Sequence, residues 1–325
     1  MERVRLGRTG IPVSKLCFGT MTFGGAADAE TSAEIYGACR DAGVTFFDCA
    51  DMYNGGEAER ILGRLIAHER DEIVLTSKCV MPVTKDVDPA NRGANRRHIL
   101  NAVEASLKRL GTDRLDVLFI HQWDPETPME QTLRAVDDLV RSGKVVYAGV
   151  SNWAAWAMAK ALGIQAREGW QAFDIIQPMY SLLKRQVEVE ILPFAASEDL
   201  AVICYSPGAG GLLSGKYSGI DAEKGTRLGD SAHYRRRYSV DWYWDTIQNF
   251  GALAKEWGHH PMSLAIAWAG AQEAITCPII GARNMDQLKT GLAAAEIALS
   301  PDQRAEITAL SQTPPPATDR LDDVI

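Results

Sequence analysis

No stretch of the chain approaches the run of about 18 apolar residues that a membrane-spanning helix needs. The N-terminus, MERVRLGRTG, lacks both an apolar core and a small-residue cleavage site. Both absences predict a cytoplasmic protein with no membrane insertion. Cysteine is sparse: Cys17, Cys39, Cys49, Cys79, Cys204 and Cys277 are scattered, with no C-x-x-C pair. That scatter predicts free, buried thiols and no metal centre. Basic charge is short as well, with 34 Lys and Arg against 42 Asp and Glu and a formal net charge of -8. The balance speaks against nucleic acid or an anionic membrane as partner, but leaves room for a small anion in a local basic pocket. A last absence is G-x-G-x-x-G directly after the first strand. Gly19 and Gly24-Gly25 do not supply it, which argues against a doubly wound dinucleotide fold.

What is present is a repeating unit. A β-hairpin over 3–6 and 11–14 opens the chain, turning at Gly7-Arg8-Thr9-Gly10. Short apolar strands follow at 15–18, 44–47, 73–77, 115–120, 145–150, 173–176, 201–205 and 275–280. Helical patterns separate them at 30–42, 57–69, 95–110, 128–142, 153–162 and 185–197, where Pro193 should bend or divide the helix. A polar loop covers 81–94, and a Gly-rich, polar and aromatic segment covers 206–241. Further helices fall at 243–257, 262–270 and 285–296, with a last one opened by Ser300-Pro301 and an irregular tail from Thr313. Short strands apolar on both faces suit a parallel sheet covered on both sides. Eight βα units in one uninterrupted chain predict an α/β fold, a closed (β/α)8 TIM barrel forming a single domain over residues 1–325.

The strand ends carry the chemistry. Asp48 closes the second core strand, Lys78 follows the third, His121 the fourth and Ser151-Asn152 the fifth, while Tyr53 lies in the loop after Asp48. Each alone has an ordinary explanation: an ion pair, a packed ring, a hydrogen-bonded imidazole. Together they occupy the mouth where barrel enzymes place their catalytic groups. An ammonium beside a phenol favours the phenolate, so Lys78 is expected to pull Tyr53 below its usual pKa of about 10. Asp48 would hold Lys78 charged. A Tyr so placed can pass a proton to a carbonyl oxygen, with His121 bonding the same oxygen. No protein nucleophile stands out for the carbon, and hydride from a nicotinamide would serve.

The blocks GVTFFDCADMYNGGEAE, IVLTSK, LGTDRLDVLFIHQWDPETP, GKVVYAGVSN, YSPGAGGLLSGKY and PIIGAR, with Ile176-Gln177-Pro178-Met179-Tyr180, resemble the aldo-keto reductase superfamily over nearly the whole length. The resemblance implies an NADPH-dependent oxidoreductase that interconverts carbonyls and alcohols. It implies a catalytic tetrad of Asp48, Tyr53, Lys78 and His121. It further implies that Ser151, Asn152 and Gln177 hold the nicotinamide carboxamide, that Tyr205 stacks on the ring, and that Ser206, Pro207, Gly208, Leu212, Ser214 and Lys216 form the loop over the pyrophosphate. Gly19, Thr20, Met21 and Asp48 join the cofactor site, and Gly281, Ala282, Arg283 and Gln287 its adenosine-phosphate end. Gly291 stands where the family often has Asn near the adenine, and Ala209 where Leu is common, so one adenine contact fewer is expected.

Phe23, Trp123 and Trp153, with Tyr53 and His121, are the expected substrate pocket for a small-molecule aldehyde, ketone or alcohol, and Trp242 and Trp244 are expected near the mouth. A basic patch at His233, Arg235, Arg236 and Arg237 could grip cofactor phosphates, bind an anionic substrate or face solvent. A second reading also stands: a nicotinamide-binding regulatory subunit resembling the β subunits of voltage-gated potassium channels. Oligomerisation is compatible with either.

Overall fold

Alternation along very short strands builds the architecture. In a computed structural model that describes residues 1–84, 88–217 and 227–318, β1 (Arg3–Arg5) and β2 (Pro12–Ser14) form the expected antiparallel hairpin, with Val4 opposite Val13. Parts of the 81–94 loop, of the 206–241 segment and of the tail from residue 313 lie outside the described residues. Eight parallel strands then close into a barrel: β3 (Cys17–Gly19), β4 (Phe46–Asp48), β5 (Val74–Cys79), β6 (Leu115–Ile120), β7 (Val145–Ser151), β8 (Ile175–Gln177), β9 (Ala201–Cys204) and β10 (Cys277–Ile280). Each pairs with its chain neighbour, and β10 closes onto β3. The (β/α)8 barrel predicted from the repeat is the fold observed.

Side chains along a strand point alternately to opposite faces. One set, including Phe18, Phe47, Leu75, Leu118, Val150, Ile176 and Val202, packs outward in the main core with the helices. The other set points inward. Cys17, Phe46, Val117, Phe119, Ile175, Ile203 and Cys277 fill the lower barrel, and Leu6 and Val13 of the hairpin join them as a plug. Gly149 is needed here, because a Cβ would lie 2.6 Å from both the Phe119 ring and the Ile175 carbonyl oxygen.

The outer layer is α1 (Ala29–Asp41), α2 (Glu57–Ile66), α3 (Arg96–Leu110), α4 (Met129–Arg141), α5 (Ala155–Glu168), α6 (Ile191–Ser197), α7 (Arg227–Asp230), α8 (Ala232–Arg237), α9 (Trp242–Glu256), α10 (Pro261–Gly270), α11 (Met285–Leu292) and α12 (Pro301–Ala309). Their starts are legible locally. Asp28 caps α1, Asn95 caps α3, and Ser300 with Gln303 forms a capping box on α12.

Several expected boundaries move. The 185–197 pattern divides into a 3-10 turn, Gln186–Glu188, and α6, with Pro193 in the first turn of α6 where little hydrogen bonding is lost. The 285–296 pattern ends as a helix at Leu292 and continues as 3-10 turn Ala293–Glu296. α5 runs on to Glu168, where Gly169 ends it in a left-handed conformation. All of the cysteines are free and buried. Among the described residues no helix is long and apolar enough to cross a membrane.

Candidate active site

The inward set also builds the mouth. Two residues beyond an inward position, the same face carries a polar or small one: Phe46 leads to Asp48, Thr76 to Lys78, Phe119 to His121, Gly149 to Ser151, Ile175 to Gln177, Ile203 to Tyr205 and Ile279 to Gly281. Parallel register aligns them, with Gly19 opposite Asp48 and Ser151 opposite Gln177.

Lys78 is the hub. Its Nζ donates to Asp48 Oδ2 at 2.6 Å, to the Cys49 carbonyl at 2.7 Å and to the Tyr53 hydroxyl at 3.2 Å. An ammonium has three donors, and these partners use them all. Asp48 is held in turn: its Oδ1 accepts from Thr76 at 2.7 Å and from the Gln177 amide at 2.8 Å. Asp48 and Lys78 are both almost fully buried. Removing either partner of such a pair typically costs about 3–5 kcal/mol, because the survivor is left as an uncompensated buried charge.

The electrostatics correct one expectation. Tyr53 is not pulled down. Burial outweighs the neighbouring Lys78 cation, and the phenol is pushed up to about 12. Lys78 is held above its usual range: burial opposes the charge, but Asp48 and then Tyr53 more than offset it. His121 falls to about 3, first through burial and then through repulsion by Lys78. Its ring is neutral at physiological pH and stands edge-on to Tyr53, centroids 6.3 Å apart. His121 Nδ1 is buried without a partner among the described residues. Tyr53 rides a 3-10 turn, Tyr53–Gly56, in which Asn54, Gly55 and Gly56 all have positive φ. Asn54 pins that turn by donating to the Met21 and Phe23 carbonyls at 3.0 and 2.8 Å.

A second network adjoins the first. The Tyr205 hydroxyl donates to Asn152 Oδ1 at 2.7 Å, and Asn152 Nδ2 donates to the His121 carbonyl and to Ser151 Oγ, each at 3.0 Å. Ser151 Oγ donates to the Gln177 carbonyl at 2.8 Å. The structure thus joins Asp48, Tyr53, Lys78, His121, Ser151, Asn152, Gln177 and Tyr205 at one mouth.

The loop after β9 is a 3-10 turn, Ala209–Ser214, kinked at Gly210 and Gly211. Gly210 has φ 67, and a Cβ there would lie 2.7 Å from the Tyr234 ring, so α8 seats on this loop through its glycine. Ser214 folds back onto the Gly211 carbonyl, and Lys216 is exposed with Nζ 4.8 Å from the Tyr217 ring centre. Pro207 and Leu212 are buried. Gly208 lies against Met262. Across the mouth, a Cβ on Gly281 would meet only the Gly19 carbonyl, at 3.6 Å. Ala282 is buried, and its carbonyl accepts from Thr22 at 2.6 Å. The Arg283 amide donates to Gln287 Oε1 at 3.2 Å at the start of α11. Gly291 packs on Ile280.

The other expected residues differ in their exposure. Phe23 is fully buried and packs on Phe18, rings 5.8 Å apart, so it does not line the mouth. It fills core because the β3–α1 loop folds inward, closed by the Gly24 amide donating to the Ala27 carbonyl. Thr20 is buried with its hydroxyl on the Asp48 carbonyl, whereas Met21 is exposed. Trp153 is nearly buried behind Trp123, rings 4.9 Å apart and edge-on, and packs on Phe173. Trp123 is half-buried, and its outer neighbour is Trp156, which is 61% exposed. Trp242 and Trp244 pack against the core.

In the basic patch, Arg235 donates to the Leu228 and Gly229 carbonyls, Arg237 bonds His233 and covers Tyr234, and Arg236 is exposed. Arg237 lies near enough to Tyr205 to counter the upward push of burial on that phenol. Sequence reasoning missed Thr76, Trp156, Asp51 and the Glu59–Arg109 pair beneath Tyr53. Thr76 had a signal, since it shares Lys78's face two residues earlier.

Comparison with known proteins shows the family. The family model described as "Aldo/keto reductase family" matches residues 15–312. The chain is 38% identical to an uncharacterized oxidoreductase, YrpG, of Bacillus subtilis, over 92% of each chain. It is 34% identical to a probable voltage-gated potassium channel subunit beta of Oryza sativa, covering 98% of this chain and 99% of the relative. It is 33% identical to the versiconal hemiacetal acetate reductase of Aspergillus parasiticus, over 93% and 95%. With a match across almost all of the barrel and relatives of this extent, the chain belongs to the aldo/keto reductase family, whose chemistry is oxidoreduction.

Proposed function

We propose that this protein reduces an aldehyde or ketone to the alcohol, reversibly, with NADPH as hydride donor and Tyr53 as proton donor. One observation carries the reading: Lys78 bridges Asp48 and Tyr53 at 2.6 and 3.2 Å at the barrel mouth, beside a neutral His121.

The residues fit a nicotinamide dinucleotide. His121 Nδ1 is an unpartnered buried polar atom at the mouth. Gln177 donates to Asp48, and its Oε1 has no partner among the described residues, so it can accept from a carboxamide. Ser151 and Asn152 lie beside it, and Tyr205 offers a ring fixed through Asn152. The glycine-kinked Ala209–Ser214 turn with Lys216 suits a pyrophosphate, as positively disposed backbone and one ammonium do elsewhere. Arg283 and Gln287 suit the adenosine end, where a guanidinium fork matches a 2′-phosphate. Gly281 leaves open backbone beside the Gly19 carbonyl, whereas Gly19 is held close, a Cβ there meeting Ile279 at 2.9 Å. NADPH, when bound, supplies the hydride.

The chain's own groups handle the oxygen. Tyr53, with its pKa raised to about 12, stays loaded with its proton at neutral pH. As negative charge develops on a carbonyl oxygen, Tyr53 donates to it, and Lys78 stabilises the phenolate left behind. Asp48 keeps Lys78 cationic and fixed. His121, neutral, has one N–H to offer the same oxygen and orients the substrate. Trp123, two residues past His121, and Trp156 form an apolar surface suited to a planar or hydrophobic carbonyl compound. The chain would act as a single domain in the cytoplasm, in a branch resembling the aryl-alcohol dehydrogenases and channel β subunits.

Similarity to the rice channel subunit supports a second reading, a nicotinamide-binding regulatory subunit. An NADPH-consumption screen over aromatic aldehydes, sugars, dicarbonyls and ketosteroids separates the two. Turnover of at least one class supports the reductase. Tight NADPH binding without turnover of any favours the regulatory subunit, and no NADPH binding overturns both.

A further inference from the structure

Beneath Tyr53 lies a buried acidic cluster that the proposed chemistry does not use. Asp51 is fully buried, and neither carboxyl oxygen has a hydrogen-bond partner among the described residues. Its neighbour Glu59, on α2, is equally buried but well held, accepting from Ser77 on β5 and from Arg109 on α3, each at 2.6 Å. Arg109 is thus already engaged. The groups facing Asp51 are Glu59, Arg109, Lys78 and, on β5, the Cys79 thiol, with the Met52 amide nearby. Lys78 has its donors on Asp48, Cys49 and Tyr53. An ionised carboxylate with no donor, set against a second carboxylate in the interior, is strongly unfavourable. A neutral carboxylic acid is tolerable there.

Asp51 is also wired to the site mechanically. Its amide donates to the Lys78 carbonyl at 3.2 Å, and the Tyr53 amide closes the turn on the Ala50 carbonyl at 3.2 Å. Gly56, at the end of the turn, packs directly on the Arg109 side chain. The cluster is therefore the bed on which the Tyr53 turn rests.

We propose that Asp51 is a positioning residue for Tyr53: as a neutral acid it lets the 50–56 turn hold the phenol against Lys78, and its ionisation repels Glu59 and loosens that turn. The inference deepens the reductase reading and rests on Tyr53 being the proton donor. Burial first, then Glu59, push the Asp51 carboxyl up to about 8, far below the value of about 12 at which Tyr53 itself gives up its proton. An alkaline loss of turnover near pH 8 would thus belong to Asp51 and not to the phenol.

Two measurements on the full chain test this, comparing wild type with Asp51→Asn, a neutral shape mimic of the protonated acid. The first is kcat at saturating NADPH from about pH 6 to about pH 10. The alkaline limb should move upward by at least about one pH unit in the variant. The second is amide hydrogen exchange of the 50–56 peptide, corrected for intrinsic rate. It should accelerate with pH in wild type and stay flat in Asp51→Asn. Equal limbs and equal exchange in the two proteins would overturn the proposal. If the variant does not fold, wild type decides alone, since flat kcat and flat exchange through about pH 9 would also overturn it. If the exchange contrast is found but no carbonyl is reduced, Asp51 controls the turn as stated and it is the proton-donor reading of Tyr53 that fails.

Discussion

The two ends of this barrel are built from the same strands by opposite rules. At the floor, inward positions are Cys17, Phe46, Val117, Ala201 and Cys277, sealed by Leu6 and Val13 of the hairpin. At the mouth, the last inward positions are Asp48, Lys78, His121, Ser151, Gln177 and Tyr205. Backbone strain follows the same division. Among the described non-glycine residues, Asn54, Val80, Asn152, Ser206 and Ala209 have positive φ at or beyond the strand ends of the mouth, whereas only Asp199 has it on the approach to a strand at the floor. For a β-branched residue such as Val80, at φ 100, that conformation is costly. The floor stabilises the fold by burying apolar surface. The mouth spends stability on buried charge and strained turns to hold a constellation.

That division can be broken by mutation. Tyr53→Phe should lower carbonyl turnover by about 10²–10⁴-fold while NADPH affinity stays within about threefold and thermal stability does not fall. Steady-state kinetics, cofactor titration and a melting curve together decide it, and a fully active variant refutes the acid role. Phe46→Ala, directly below Asp48, should do the reverse. It should cost about 3–5 kcal/mol of stability in denaturant unfolding and leave kcat of the folded fraction within about twofold. A kcat loss as large as that of Tyr53→Phe would show that floor and mouth are not separable.

Smaller effects sharpen the contrast within the mouth. Arg283→Ala should weaken NADPH by about tenfold and NADH by much less, as measured by fluorescence titration. Equal losses would remove the 2′-phosphate assignment. A pH dependence tests the mouth from another side. His121 sits in the folded protein well below its usual value, so the unfolded chain takes up a proton first as pH falls. Its contribution is complete above about pH 6.5 and is lost progressively toward about pH 3, so His121→Gln should flatten the acid side of a stability-versus-pH curve. Asp51 acts with the other sign, its folded-state pKa being raised. Its contribution is complete below about pH 4 and is lost as pH rises through about 8.

Much of the site was readable because strand periodicity is rigid. Once Phe46, Phe119, Ile175 and Ile203 are recognised as inward, Asp48, His121, Gln177 and Tyr205 must share their face, two residues on. Loops obey no such rule. Phe23 reads like a mouth aromatic, but its loop folds inward and buries it. Trp153, one residue past Asn152, packs behind Trp123, and the exposed partner is Trp156, in the first turn of α5. Lys78 does pull the Tyr53 phenol down, but it is outweighed by burial, and desolvation has no local signature in a sequence. Asp51 and Glu59 escaped notice for a related reason: nothing local says that Ser77 and Arg109 will satisfy one carboxylate and leave the other without a donor.

The chain by itself determined the eight-fold repeat, the barrel it closes into and the strand ends at which polar residues gather. These follow from local periodicity and turn chemistry, which act over a few residues. Only the tertiary structure decided which of those polar groups are charged, which are neutral and which aromatic rings reach solvent. Those properties depend on burial and on partners brought together from distant segments, as when Gln177 closes on Asp48.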